Sequence, residues 1–429
     1  MKIGFVGLGK LGIPVTVAID HKGHDVLGYD TNPYITSTEH VKDMLFTREG
    51  GEKEGDTIDE LLKNSKVKIA DSLMEVVEHG EIIFVAVQTP HNPKYEGITR
   101  IPDDRKDFDY TWLTECMNDV SKCVDKLGQD KIVIIISTVL PGTLRKYIFP
   151  VLSSRIKLCY NPFFIAMGTV VKDFLFPEFI LFGVVDDYAK NKARQFYKTI
   201  TDAPLYETTL ENAELTKVLY NTMISTKIGF ANVILEMCDK LENTDCDQVV
   251  GALKLSNRRL ISTAYMKPSL GDGGACHPRD NIAMSWLSNE LNLSYNIFDS
   301  IMLGREKQTD YLADIVIMKQ KEHDLPVCIL GKAFKKNTNM TAGSISILLK
   351  NLLYERRCHV TMYDPYVDGG YFDLTKRVYF IGTEHDAFKE YVFPQGSCVI
   401  DPFRFINEQP GVDLYSVGRS HDRSQKSHE

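Results

Sequence analysis

The segment Gly271-Asp272-Gly273-Gly274-Ala275-Cys276-His277-Pro278-Arg279-Asp280 concentrates more groups able to do chemistry than any other stretch of this sequence. Three glycines precede a cysteine, and a proline two residues after it suits the first turn of a helix. A thiol at that point lies over unpaired backbone N–H groups and beside Arg279, a setting in which cysteine reactivity rises. The competing reading is a glycine turn that carries a small packed cysteine, the commoner fate of a free thiol.

A second constellation opens the chain. Residues 2–6 read as a buried strand, followed by Gly7-Leu8-Gly9-Lys10-Leu11-Gly12, a helical pattern to about Asp20, and a strand from Asp25 to Tyr29 that ends on Asp30. Strand, glycine turn, helix and terminal acid together form a dinucleotide-binding fingerprint. The turn lets backbone approach a pyrophosphate at a helix N-terminus, and the acid meets ribose hydroxyls. Asp30 favours NAD over NADP, whose extra phosphate it would repel.

Further strands at Ile82–Val87 and Ile132–Ile136 run into Thr89-Pro90 and Ser137-Thr138. Loops at the carboxyl ends of parallel strands face the ligand, so both should border the cofactor. Lys217 and Asn221 lie one turn apart on a long helical pattern from about Asn212 to Leu241 and share a face. A solvated helix face would explain that pair equally well.

These groups need a scaffold, and the composition supplies one. With 429 residues, 43% hydrophobic and 25% charged, the chain can build two or three domains with ample core. A net charge of -8 without a long basic run argues against nucleic acid as main partner. Nine cysteines at irregular spacing form neither a disulfide framework nor a zinc signature, and suit a reducing cytoplasm. No apolar run is long enough to span a membrane, and the glycines near the N-terminus favour strand and turn over a signal peptide. His91 to Asp109, polar and charged, reads as a solvated surface insertion. From Pro326 a second strand–turn–helix–strand unit repeats the first, with a helix at Ile345–Glu355 and a strand ending on Asp364. It lacks the three-glycine fingerprint, so no dinucleotide is assigned to it. The segment from about Ser416 is polar and reads as a disordered tail.

Taken in order, these segments resemble the UDP-glucose/GDP-mannose dehydrogenases, NAD-dependent enzymes that oxidise a nucleotide sugar at C6. The likeness covers nearly the whole chain. It includes the fingerprint with Asp30, Thr89-Pro90, Ser137-Thr138-Val139, Ala213-Glu214-Leu215-Thr216-Lys217 with Asn221, the Gly273–Asp280 segment and Gly331-Lys332-Ala333-Phe334-Lys335. The resemblance implies an α/β fold of two Rossmann-like doubly wound domains joined by a long helix that also forms a dimer interface. Boundaries follow at 1–204, 205–322 and 323–415, with a tail at 416–429. NAD would meet Gly7, Gly9, Lys10, Leu11, Gly12, Asp30, Thr89, Pro90, Ser137, Thr138 and Arg279.

The resemblance also implies a mechanism. An alcohol becomes an aldehyde, Cys276 adds to it, a second oxidation gives a thioester, and water releases the acid. Lys217 and Asn221 would stabilise oxyanions, and Asp280 with a water and Thr138 would move protons. Substrate contacts would come from Lys217, Asn221, Tyr265, Lys267, Ser269, Gly273, Phe334, Lys335 and Arg259.

The chain departs from its relatives at several of these places. Two glutamates usual in the loop after Asn161-Pro162 are replaced by Phe163 and Met167, and one of them is a proposed base for thioester hydrolysis. Asp272 and His277 stand where aromatic residues are usual, and an expected Asp and Arg are missing from Lys336–Thr341. The arginine that relatives offer to a neighbouring subunit is approximated by Arg258-Arg259. Three outcomes follow as expectations: a dehydrogenase acting on a UDP-hexose with a shifted acid/base set, an oxidoreductase that stops at the aldehyde, or an inactive nucleotide-sugar sensor. For the hydrolytic base, Asp272, His277 and Asp280 all remain open.

Overall fold

The computed structural model describes residues 1–32, 35, 65–258, 262, 264–265, 267–290, 296–370 and 372–419. Arg259 lies outside the described residues. The chain divides into two compact units, one of residues 1–91 and 107–219, the other of residues 92–106 and 220–429.

The first unit is a sheet of eight described strands: β1 (Lys2–Val6), β2 (Asp25–Tyr29), β3 (Lys68–Ile69), β4 (Ile82–Val85), β5 (Lys131–Ile135), β6 (Ile156–Tyr160), β7 (Ile180–Val184) and β8 (Leu205–Thr208). Their order is β3-β2-β1-β4-β5-β6-β7-β8, with only the β6–β7 pair antiparallel. The first six strands follow the 3-2-1-4-5-6 order of a dinucleotide-binding sheet, which reverses between β1 and β4. Ile3, Phe5, Ile82, Phe84, Ile132 and Ile134 are buried in one apolar cluster, as expected of parallel strands covered on both faces. Helices α1 (Gly12–His21), α2 (Leu73–His79), α3 (Thr111–Leu127), α4 (Val170–Leu175) and α5 (Asp187–Ile200) belong to this unit.

Helix α6 runs unbroken from Leu210 to Lys240, 31 residues without proline. Its first turns count with the first unit and its remainder, from Tyr220, with the second.

The second unit adds α7 (Cys246–Lys254), α8 (His277–Glu290), α9 (Ile297–His323) and α10 (Ile345–Glu355). Its five strands are β9 (Val327–Leu330), β10 (Val360–Tyr363), β11 (Val378–Ile381), β12 (Cys398–Asp401) and β13 (Asp413–Ser416). They are all parallel, in the order β10-β9-β11-β12-β13, the other common doubly wound arrangement.

Two expectations from sequence need correcting. Residues 92–106 are not a free surface loop but part of the second unit. Arg100 there pairs with Asp310 and Glu355, Arg105 pairs with Asp299, and the Ile98 carbonyl accepts from Asn351. The segment from Ser416 does not begin as a disordered tail either. Ser416 ends β13, Val417 is fully buried, and Arg419 pairs with Asp245 and Asp247.

Candidate active site

In the first unit the glycine turn has the form a dinucleotide requires. Gly7 adopts φ +95°, and a side chain on Gly12 would run into the Gly7 carbonyl oxygen. Gly9 has open space where a Cβ would be, so backbone can be approached there. Asp30 is half-buried; its Oδ2 accepts the Leu8 N–H at 2.8 Å and its Oδ1 the Asn32 N–H at 2.9 Å. Lys10 is exposed and Leu11 immediately precedes α1. The loops after β4 and β5 are stitched together, because the Thr89 hydroxyl donates to the Thr138 carbonyl at 2.7 Å and Ser137 to Val87 at 2.6 Å. Thr89, Pro90, Ser137 and Thr138 thus form one rim at the carboxyl ends of neighbouring strands, where cofactors of this fold bind.

Lys217 is nearly buried on α6. Its ammonium donates to the Phe163 carbonyl at 2.8 Å and sits 5.3 Å from the centre of the Phe164 ring. Phe163 packs against Phe174, and Phe163 and Met167 both join the fringe of the sheet core. The carboxylate in this loop's wall is Asp173, and it is committed to the Thr169 hydroxyl and the Ala166 N–H.

One buried acid escaped the sequence reading. Glu214, one turn before Lys217, is fully buried and accepts N–H bonds from Gly142 at 2.6 Å and Leu144 at 3.0 Å. Burial pushes its carboxyl up to about 7 despite those two bonds. It holds the loop that follows Thr138. Its place inside the Ala213–Lys217 motif was the available signal.

In the second unit the cysteine segment folds as a glycine turn feeding a helix. The Cys276 carbonyl accepts the Asp280 N–H at 2.8 Å, which makes Cys276 the residue that caps α8. Cys276 is exposed, whereas Asp280 is fully buried. Both Asp280 oxygens are engaged, Oδ2 by the Asn221 amide and Oδ1 by the Arg279 guanidinium at 2.8 Å. Asn221 and Asp280, expected at the site from separate parts of the sequence, are therefore in direct contact. Arg279, expected beside the cofactor, is half-buried and tied to Asp280.

Asp272 is also fixed. Its Oδ1 accepts from Arg305 Nε at 2.8 Å, and both side chains are buried. Arg305 reaches on to the Gly97 carbonyl at 2.7 Å and the Gly343 carbonyl at 3.0 Å. One buried guanidinium thus ties the cysteine turn to residues 92–106 and to the approach of α10. Burial lowers the pKa of Arg305 while Asp272 opposes that shift. Nothing near Arg305 in sequence advertised this role.

Ser269, Gly273, Phe334 and Lys335 line one cavity of about 250 Å³, together with Lys336, Glu384 and Phe403. Gly273 and Gly274 lie flat against Phe334, where a Cβ on either would press on the ring. Lys267 is not in the cavity's lining but pairs with Glu384, which is. Tyr265 is exposed at φ +61° and is not part of the lining.

Comparison with known proteins identifies a family. The NAD-binding domain of the UDP-glucose/GDP-mannose dehydrogenase family matches residues 1–201, and the central domain of the same family matches residues 211–303. A UDP-glucose 6-dehydrogenase of Rickettsia bellii is 25% identical over 372 residues, 85% of this chain and 81% of its own. A GDP-mannose 6-dehydrogenase of Azotobacter vinelandii is 24% identical over 376 residues, covering 86% and 82%. In fold, the chain is similar to a UDP-glucose dehydrogenase from Pyrobaculum islandicum, with TM-score 0.80, 24% identity and 98% of each chain covered.

Proposed function

Because this chain belongs to the UDP-glucose/GDP-mannose dehydrogenase family, we propose that it oxidises the C6 alcohol of a nucleotide-linked hexose to the carboxylate, with Cys276 as nucleophile. The observation that carries this reading is Cys276 itself, exposed at the cap of α8 with Asp280 held against Asn221 one turn below. The glycine turn, Asp30 and the Thr89–Thr138 rim fit NAD, which when bound supplies the acceptor for hydride.

The protein's own groups do the rest. Lys217 and Asn221 present N–H donors on one face of α6, suited to oxygen anions that develop on the sugar carbon. The Cys276 thiolate bonds to the aldehyde carbon, which makes that carbon a second hydride donor without prior hydration. Oxidation leaves a thioester on Cys276, and water cleaves it. The cavity lined by Ser269, Gly273, Phe334 and Lys335 suits the nucleotide, with a ring for apolar contact and lysines for phosphate. UDP-glucose is the first substrate to test.

A homodimer is proposed as well. Met223, Phe230 and Met237 are exposed on α6 at successive spacings of seven, an apolar stripe of the kind a second helix covers.

One observation favours a second reading. Phe163 and Met167, which stand where the family resemblance implies two glutamates, are packed against the core, and the carboxylate in that loop's wall, Asp173, is bonded through Oδ2 to Thr169 and Ala166. An enzyme stopped at the aldehyde would form one NADH per sugar. A panel of UDP- and GDP-sugars followed by NADH absorbance decides between them: two NADH per sugar supports the acid product, one supports the aldehyde, and none overturns both. Cys276→Ser is expected to abolish acid formation; unchanged acid output would remove the covalent step.

A further inference from the structure

We propose that His277 is the general base for hydrolysis of the Cys276 thioester, a reading that rests on the dehydrogenase function above. His277, Asp280 and Asn281 are spaced three and four residues from His277 along α8, so they share one face. That face meets α6 at Asn221 and Ser225, themselves one turn apart. Asn221 holds Asp280, Ser225 Oγ lies 3.1 Å from His277 Nδ1, and the Asn281 amide donates to Ser225 Oγ at 3.0 Å. The same amide donates to the His277 carbonyl at 2.9 Å, which fixes the first turn of the helix from two sides. The imidazole is therefore held by one nitrogen in the seam that also holds Asn221 and Asp280. It is the residue adjoining Cys276 and is only half-buried.

The alternatives are engaged elsewhere. Asp272 is buried against Arg305, and both oxygens of Asp280 are already bonded. With its proton on Nδ1 and donated to Ser225, His277 presents Nε2 as the lone-pair nitrogen.

The step balances without any redox partner. As a water oxygen bonds to the thioester carbon, its proton passes to His277 Nε2. The tetrahedral adduct then collapses, the carbon–sulfur bond breaks, and its electron pair leaves on Cys276 Sγ. The acid product loses its proton to solvent, and the imidazolium returns its own to the thiolate. Ser225 and Asn281 act as positioning residues.

The test is a single-turnover reaction of His277→Gln and His277→Ala with the nucleotide sugar and NAD, quenched and followed by intact-protein mass spectrometry. Both variants should give the NADH burst yet accumulate acylated protein, with hydrolysis slowed by about a hundredfold or more. Added imidazole should speed deacylation of His277→Ala, which a purely structural defect would not allow. Wild-type deacylation in both variants would overturn the proposal. If neither variant folds, Ser225→Ala decides: slower deacylation after a normal burst supports the proposal, and unchanged deacylation overturns it. Failure of wild-type protein to reduce NAD with any nucleotide sugar is a different result, and defeats the dehydrogenase reading instead.

Discussion

Two strand–glycine turn–helix–strand units in this chain each end on an aspartate, and they differ in what those aspartates have left to offer. Asp30 is half-buried, takes one backbone N–H on each oxygen, and borders a turn whose Gly9 faces open space. Asp364 is fully buried. It accepts N–H groups from Lys332 at 2.7 Å, Ala333 at 2.9 Å and Tyr366 at 2.9 Å, and its Oδ2 meets His385 Nε2 at 3.0 Å. The second turn is also filled. A Cβ on Gly331 would strike Thr383, whose hydroxyl bonds the Ala333 carbonyl. Topology and acid are shared, but the first unit leaves acceptor capacity for a ligand and the second spends it inside the fold. The capacity to take a ligand follows from what occupies the turn rather than from the strand–turn–helix–strand order the two units share.

The severest way to break the comparison is a side chain in the first turn. Gly12→Val should force the Gly7 carbonyl aside and lower NAD affinity by about a thousandfold or more, equivalent to about 4 kcal/mol. Gly331→Ala, equally crowded but at φ +108°, should destabilise the second unit and leave NAD affinity unchanged. Calorimetric titration with NAD on both variants checks this; loss of NAD binding in Gly331→Ala would erase the distinction.

The parts of this scaffold that were legible in the sequence are those set by short-range pattern. The strand over Asp25–Tyr29 and the helix over Ile345–Glu355 emerge with the expected limits, because alternation and apolar spacing are local. Cys276 at a helix cap was readable from three glycines and Pro278. What was not readable depends on partners far along the chain. Arg100 reads as a loop cation until Asp310 and Glu355 are beside it, more than two hundred residues away. The same holds for Asp272. Beside glycines it reads as a turn residue, and the distant Arg305 explains its burial. Arg404, buried and bonded to Asp247, is a third case.

Asp364→Asn should be the next largest effect. Burial raises a carboxyl, but His385 and the backbone amides outweigh it and hold Asp364 down at about 2. A folded-state value below the ordinary 3.8 means this group adds stability above that pH, and the contribution fades as pH falls toward 2. Removing the charge leaves His385 and the amides short of an acceptor, a loss of about 3 kcal/mol by denaturant titration at pH 7. A variant as stable as wild type would show that the second turn does not depend on this acid.

Glu214 gives the opposite sign in the first unit. It too is fully buried, but with two amide donors burial wins, and its value lies near 7 rather than 4.5. The folded state then holds a proton that the unfolded state releases. Stability from this group is complete below about pH 4.5 and declines as pH rises toward 7, by at most about 3 kcal/mol. Glu214→Gln should flatten that slope in denaturant titrations at pH 5 and pH 7.5. An unchanged slope would mean that Glu214 is ionised in the fold.

The smallest effect should separate the two aspartates most cleanly. Asp30→Asn keeps an oxygen for the Leu8 N–H but removes the charge proposed to meet the ribose hydroxyls. A charged hydrogen bond of this kind contributes about 1.5–2 kcal/mol, so NAD should bind about tenfold to thirtyfold more weakly. NADP should move the other way relative to NAD, because its extra phosphate no longer meets an anion. The NAD/NADP affinity ratio is therefore the quantity to measure, since a general loosening of the turn would weaken both cofactors and leave it constant. Asp364→Asn should leave that ratio at the wild-type value. An unchanged ratio in Asp30→Asn would place cofactor choice somewhere other than the end of β2.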